Sequence, residues 1–248
     1  MDFKIENDMR SGCMKKRTGK KLILFASMLT LFIPMFLYTG KTIQAEAATV
    51  KLNATKKTIV IGSTYQLKVK NTKKTVKWST SNKKVATVSS SGKVTAKKAG
   101  TATITAKVGK KKLTCVIKVV TQQEAYRSSI MNLINKERRK YGYSSFDKDS
   151  LLHAAAQKRA KELSKKFSHT RPNGYKWTSA ISMKYDFKRA AENIARDLAT
   201  PQQVVDAWMD KASTKSKIIS KNYNDIGVGV YLSSDGYLYW CVIFAKEK

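Results

Sequence analysis

The chain is short of negative charge. Its 248 residues carry 49 lysines and arginines against 17 aspartates and glutamates, a formal net charge of +32. Between Thr49 and Val120 the shortage is complete, with 18 lysines, no arginine and no acidic residue. Arginine is the side chain of bidentate phosphate and base recognition, whereas lysine is a well-hydrated point charge. An acid-free stretch charged by lysine alone argues against specific nucleic-acid recognition and for diffuse binding of polyanions. DNA would adhere to it only in the salt-dependent way of any polycation. The counter-surface expected for an exported chain is anionic cell-wall polymer or a membrane surface. The alternative is solubilising charge with no specific partner.

Cysteine and histidine are also scarce, at three and two residues. Cys13 precedes the one long apolar run, and Cys115 and Cys241 fall in separate strand-like segments. A bridge between the latter would need Cα atoms about 4.4–6.8 Å apart across two cores. The expectation is therefore two buried thiols and no disulfide framework, which suits a bacterial surface better than a eukaryotic secretory route.

The apolar run marks a leader. Lys15, Lys16, Arg17, Lys20 and Lys21 form a positive block, Leu22 to Tyr38 is nearly all apolar, and Ala45-Glu46-Ala47 supplies small residues for a peptidase. Basic, apolar and small-residue regions in that order make residues 1–47 a secretory signal peptide, cleaved after Ala47 or Ala48, with a possible true start at Met14. The competing reading is an uncleaved anchor, since the run approaches the ~20 residues that span a bilayer. The expected location is extracellular and cell-surface associated.

Residues 49–120 alternate with period two. Tyr65, Leu67 and Val69 share one face, as do Leu113, Cys115, Ile117 and Val119, with lysines opposite. Short β-branched runs, including Thr58–Ile61, Tyr65–Val69 and Val76–Ser79, are divided by turns at Gly62, Gly92, Gly100 and Gly109, the pattern of an all-β sandwich. The stretch from Val76-Lys77-Trp78-Ser79 through Lys98-Ala99-Gly100 to Ile104 resembles the bacterial Ig-like group 2 family. That resemblance implies a surface-display or adhesion module, with Trp78 in the core and Gly92 and Gly100 at turns. Val120 to Glu124 reads as a short linker.

From residue 122 the period becomes helical. Tyr126, Ile130, Leu133 and Ile134 predict a first helix closed by Gly142. Asp149 caps a second with Leu152, Ala155, Ala156, Ala160 and Leu163 on one face, and Thr200-Pro201 opens a third. Gly227–Leu232 and Tyr237–Ala245 alternate as strands about a Ser233–Gly236 turn. Helices first and a hairpin last predict α+β. His153, beside two alanines in the second helix, reads as a structural residue.

Five runs in order carry a second resemblance: Phe167-Ser168-His169, Ala191-Glu192-Asn193-Ile194-Ala195, Val204 to Met209, Asn222 to Gly229, and Trp240 to Phe244. Residues 122–248 resemble the CAP family, also called the SCP-like extracellular domain. This implies an α-β-α sandwich and, in many members, a cavity around two histidines and one or two glutamates. His169 and Glu192 occupy one position of each kind. The positions of the second histidine and second glutamate fall on Thr214 and Lys211, which depart from the pattern. Two ligands and an adjacent lysine are a poor set for a transition metal, so no metal or cofactor is expected.

The leading expectation is a secreted, cell-envelope-associated, non-enzymatic binding protein with an unknown ligand at the CAP cavity. The alternative is a hydrolase of peptide or cell-wall substrates with His169 as base and Glu192 as its orienting carboxylate. Lipid capture, which the resemblance also implies, has no motif here. If His169 and Glu192 form a structural clamp, His169→Ala is expected to cost more stability than Glu192→Gln.

Overall fold

A computed structural model describes residues 48–248. The expected leader, its cleavage site after Ala47, Met14 and Cys13 lie outside the described residues. Among those described, no helix is long and apolar enough to cross a membrane.

Residues 51–120 form nine strands: β1 Lys51–Leu52, β2 Lys56–Val60, β3 Thr64–Gln66, β4 Val69–Lys70, β5 Val76–Thr80, β6 Ala86–Val88, β7 Lys93–Ala96, β8 Gly100–Val108 and β9 Lys111–Val120. One sheet runs β2-β9-β8-β5, a second β3-β7-β6, and β1 pairs with β4. Apolar residues from these strands, among them Val94, Ile104, Cys115 and Ile117, fill one core together with Leu67, which lies between β3 and β4.

Tyr65–Val69, expected as a single strand, is broken at Leu67. There the chain changes partners. The Leu67 N–H donates to Gly92 O at 3.0 Å, whereas the Lys68 N–H donates to Asn53 Oδ1 at 2.8 Å. Leu67 itself is fully buried, so the crossing point doubles as a core anchor. Gly92 has φ +83° and packs on Trp78; an added Cβ would lie 2.7 Å from the indole and 2.6 Å from Leu67 O. The position thus requires glycine for its backbone and for its space.

The second module contains α1 Gln122–Lys140, β10 Asp147–Lys148, α2 Ser150–Leu163, a 3₁₀ turn at Trp177–Ala180, β11 Phe187–Arg196, α3 Pro201–Asp210, α4 Ala212–Ile218, β12 Asp225–Leu232 and β13 Leu238–Glu247. The expected linker at Val120–Glu124 is not a linker. Strand β9 ends at Val120, and Thr121 immediately caps α1 through a reciprocal box with Glu124. Thr121 Oγ1 accepts the Glu124 N–H at 3.1 Å, while the Glu124 carboxylate accepts the Thr121 N–H at 2.9 Å. At the other end of α1, Gly142 at φ +75° lets the Tyr143 N–H reach Arg138 O and its own N–H reach Arg139 O, closing the helix.

The sheet runs β10-β12-β13-β11, with β10 parallel to β12 and the other pairs antiparallel. Helices cover both faces. Trp240, Val242 and Phe244 of β13 join the core with Ile130 and Ile134 of α1, Val204 and Trp208 of α3 and Ile218 of α4. The alternate residues Tyr239, Cys241 and Ile243 pack with Leu152, Ala156 and Ala160 of α2. An α-β-α sandwich follows a β-sandwich, giving the fold class expected. Strands β10 and β11 and helix α4 were not anticipated. β11 has little β-branched content, and its pairing along β13 overrides that weak local preference.

Two glycines set the spacing of the layers. Cβ atoms added at Gly227 or Gly229 would strike the α2 backbone at Leu152 and Ala156 respectively. The Ile226-Gly227-Val228-Gly229 run is therefore where a helix backbone lies directly on a strand. Gly229→Ala is expected to destabilise by about 1–3 kcal/mol or more, because the helix must lift away to admit one methyl group. A denaturant midpoint equal to that of the parent would contradict this account.

Side chains finish both edges of this sheet. Beyond the short β10, the Val228 N–H donates to His153 Nδ1 at 3.4 Å and the Val230 N–H to Gln157 Oε1 at 3.2 Å, while Gln157 Nε2 returns a bond to Val230 O. On the β11 edge, Lys217 Nζ donates to Glu192 O and Trp208 Nε1 to Ile194 O. Open edges are liable to pair with other chains, and here helical side chains occupy them. His153 can accept from Val228 only while Nδ1 is unprotonated. Burial, then the charges of Arg127 and Lys148, lower its pKa from 6.5 to about 4. Between those values the unfolded chain binds the extra proton, so stability present above pH 6.5 is lost as the pH falls toward 4. Melting temperatures across that window should decline, and His153→Gln, which keeps an acceptor but cannot titrate, should make the decline shallower.

Candidate functional site

The site begins with alternation along β11. Glu192 projects toward α2 and meets Arg159, His169 and Cys241, whereas Asn193 projects to the other face and donates through Nδ2 to Thr214 O at 3.1 Å. Glu192 is 2% exposed. Its Oε1 accepts from Arg159 Nε at 2.8 Å and from the Cys241 thiol at 3.3 Å. Its Oε2 accepts from His169 Nδ1 at 2.7 Å. A carboxylate only accepts, so Nδ1 carries the proton and Nε2 is left for a partner. The His169 side chain is 56% exposed.

Arg159 is fully buried and spends its guanidinium on three acceptors: Glu192, Glu162 Oε2 at 3.0 Å and Ser168 O at 2.6 Å. Burial pulls its pKa down, but hydrogen bonds and charge from the two glutamates outweigh that and hold it above the usual arginine value. Arg171 closes the far end. Its Nη2 donates to Glu162 Oε1 at 2.6 Å, its Nε to Oε2 at 3.0 Å and its Nη1 to Ser179 Oγ at 2.8 Å. The result is a ladder of alternating charge, Arg171–Glu162–Arg159–Glu192, that ties the loop after α2 to the strand beneath it and is finished by the hydrogen bond from the His169 ring.

The expected residues are thus divided. His169 and Glu192 come together. Lys211 and Thr214 do not join them: among the described residues neither bonds to His169 or Glu192. The Thr214 hydroxyl instead donates to Trp208 O at 2.7 Å, tying α4 to the end of α3. Cys241 is a free, buried thiol, as is Cys115. Burial and the neighbouring Glu192 charge push the Cys241 pKa well up, so it stays protonated and is no nucleophile. Lys217 lies near by with its pKa lowered by burial first and by Lys211, against the pull of Glu192.

Arg159, Glu162 and Arg171 were missed by the sequence reading. Arg159 falls on the apolar stripe of α2, in step with Leu152, Ala155, Ala156, Ala160 and Leu163. An arginine at a core position is itself the signal, because a buried cation demands a buried carboxylate. The donors present do not fit a metal ion. Both Glu192 oxygens are committed, and one is in direct contact with a guanidinium. Among the described residues no three His, Cys, Asp or Glu side chains gather to hold a cation.

The family model of the cysteine-rich secretory protein family, CAP, matches residues 131–244, and that of the bacterial Ig-like domain, group 2, matches residues 45–117. The chain carries a CAP domain preceded by a bacterial Ig-like domain. It is similar to the uncharacterized protein YkwD of Bacillus subtilis (strain 168), at 33% identity over 108 residues, 42% of either chain, so it spans less than half of that relative's length. Among solved structures it is similar to an outer surface protein from Borrelia burgdorferi, with 25% identity, a TM-score of 0.46, and coverage of 50% of this chain and 95% of that one. It is also similar to an extracellular protein containing a SCP domain from Bacillus anthracis str. Ames, with 20% identity, a TM-score of 0.46, and coverage of 50% and 41%.

The ladder reverses the expected order of the two substitutions at the site. The His169 ring is half in solvent, so water can take its place at Glu192 Oε2 and His169→Ala should cost only about 1 kcal/mol. Glu192→Gln leaves the Arg159 cation buried against an amide and should cost about 3–5 kcal/mol. Denaturant unfolding of both variants checks the ranking, and a Glu192→Gln protein as stable as the parent would contradict it.

Proposed function

We propose that the protein is an exported, cell-envelope-associated binding protein. Its Ig-like domain holds it to anionic wall polymer, and its CAP domain presents the His169 and Glu192 site to a ligand without catalysing a reaction. The observation that carries the first part is a set of like-charge pairs across the Ig-like strands. Lys77 stands opposite Lys107 and Lys107 opposite Lys112, while Lys51 stands opposite Lys70. All five side chains are exposed. Directly opposite like charges, about 4.5–5.5 Å apart at Cβ, destabilise a sheet. A polyanion laid across the row relieves that repulsion. Export rests on the basic, apolar and small-residue order of residues 1–47.

The non-catalytic reading of the CAP domain rests on Glu192, whose oxygens are consumed by Arg159, Cys241 and His169, and on the protonated state of the neighbouring thiol. One observation favours the hydrolase alternative: His169 is half exposed, its Nε2 has no partner among the described residues, and its ring is oriented by a buried carboxylate, the arrangement of a general base. Peptide and cell-wall substrates offered to the parent and to His169→Ala separate the two readings. Turnover by the parent that His169→Ala abolishes, with folding intact, would overturn the non-catalytic one.

Attachment is tested on purified wall preparations. The full chain should bind and be released as salt is added, because screening shortens to about 3 Å at 1 M. Replacing Lys77, Lys107 and Lys112 together by glutamine should weaken binding at low salt. Retention indifferent to salt, or undiminished in the triple variant, would sink the electrostatic account.

A further inference from the structure

A second basic site lies away from the Glu192 ladder, and neither reading above uses it. Where β9 passes into α1, a cavity of about 110 Å³ is lined by Lys118 of β9, Glu124 and Arg127 of α1, Lys148 of β10 and His153 of α2, over a floor that includes Val228 of β12. Three cations therefore face one carboxylate. Glu124 caps α1 by accepting the Thr121 N–H and hydroxyl, both at Oε2, and its single negative charge, which feels Arg127 and Lys118, leaves the cavity with an excess of positive charge. None of the three cations takes part in an ion pair among the described residues, and the Arg127 guanidinium donates only to Gln157 Oε1 there, at 3.2 Å.

His153 completes the lining as a neutral donor. Its Nδ1 accepts the Val228 N–H, so the ring proton sits on Nε2. We infer that this cavity binds a phosphate group, held by Lys118, Arg127 and Lys148 with His153 as a hydrogen-bond donor. The volume supports a group of that size. A cavity of about 110 Å³ has room for one tetrahedral oxyanion. A guanidinium beside ammonium groups is a customary phosphate cradle, Arg127 offering its planar fork and the lysines point charge. The ligand is either free phosphate or a phosphate ester.

The charged groups facing His153 are Lys118 from β9, Arg127 and Glu124 from α1, and Lys148 from β10; β12 presents only Ile226 and Val228. The imidazole is held uncharged in part by Arg127 and Lys148, after burial. An oxyanion among those cations cancels their repulsion, so phosphate should raise the proton affinity of His153. The chain has two histidines, which makes the imidazole C–H resonances a direct reporter, assigned by comparison with H169Q.

The test titrates the full chain with inorganic phosphate, glycerol 3-phosphate and dimethyl phosphate in turn, with sodium chloride at matched ionic strength as control. The expected result is a saturable shift of the His153 resonance at millimolar phosphate and a rise of about tenfold in its proton affinity, with chloride inert. The exposed-lysine variant K118Q/K148Q should lose about tenfold in phosphate affinity while keeping the parent's melting temperature. A response to glycerol 3-phosphate but not dimethyl phosphate assigns the site to a free or terminal phosphate; a response to dimethyl phosphate as well assigns it to a diester chain. A His153 resonance that ignores all three phosphates, that moves equally with chloride, or that responds undiminished in K118Q/K148Q would overturn the proposal. Because the readout is a small ion at one imidazole, failure here leaves wall attachment through the Ig-like lysines standing, and failure there leaves this site standing.

Discussion

One carboxylate with no access to water governs the CAP domain. Glu192 sits under the loop that follows α2, and a charge in that position is tolerated only if a cation and further donors meet it. Arg159 meets it, yet Arg159 is itself buried and must be matched on its other side. Each charge thus calls for the next until the ladder ends at Arg171, buried but bonded to Glu162 and Ser179, and at the half-exposed His169. The chain of necessity explains why the loop between α2 and β11, with no regular structure for much of its length, is held to a defined course. Arg159 grips its Ser168 carbonyl, and Arg171 grips its Ser179 hydroxyl.

The Ig-like domain solves the opposite problem. It has no acidic side chain with which to neutralise anything, so its fold depends on apolar burial and backbone pairing alone. The core of Leu67, Ile104 and Ile117 and the Gly92–Trp78 contact carry that burden, while the lysines stay on the water side. The two domains therefore handle charge in different ways. One consumes it inside, as matched pairs, and the other leaves it unmatched outside, where it is available to a partner.

Much of the architecture was legible because period carries burial. The alternation at Leu113–Val119 and the stripe at Leu152–Leu163 each reported a buried face, and the caps at Asp149 and Thr200 marked helix starts. What was illegible depended on contacts between distant segments. Strand β11 takes its conformation from β13, and Leu67 breaks a strand because Gly92 and Asn53 bid for adjacent backbone groups. At the site, His169 and Glu192 could be picked out, but the cation between Glu192 and Glu162 could not, since motif and helix are 33 residues apart. Reading Arg159 as a misplaced core residue would have exposed it. The expected ranking of the two substitutions changes for the same reason: the partner that makes Glu192 expensive to alter lay off the motif.

Thr121 is all that separates the last strand of one domain from the first helix of the next, and its side chain and backbone are both engaged by Glu124. A joint of one residue, bonded on both sides, stores no slack chain. A pull applied to the Ig-like domain therefore reaches α1 directly, with no spacer to extend first. The joint is in this respect a bracket rather than a tether.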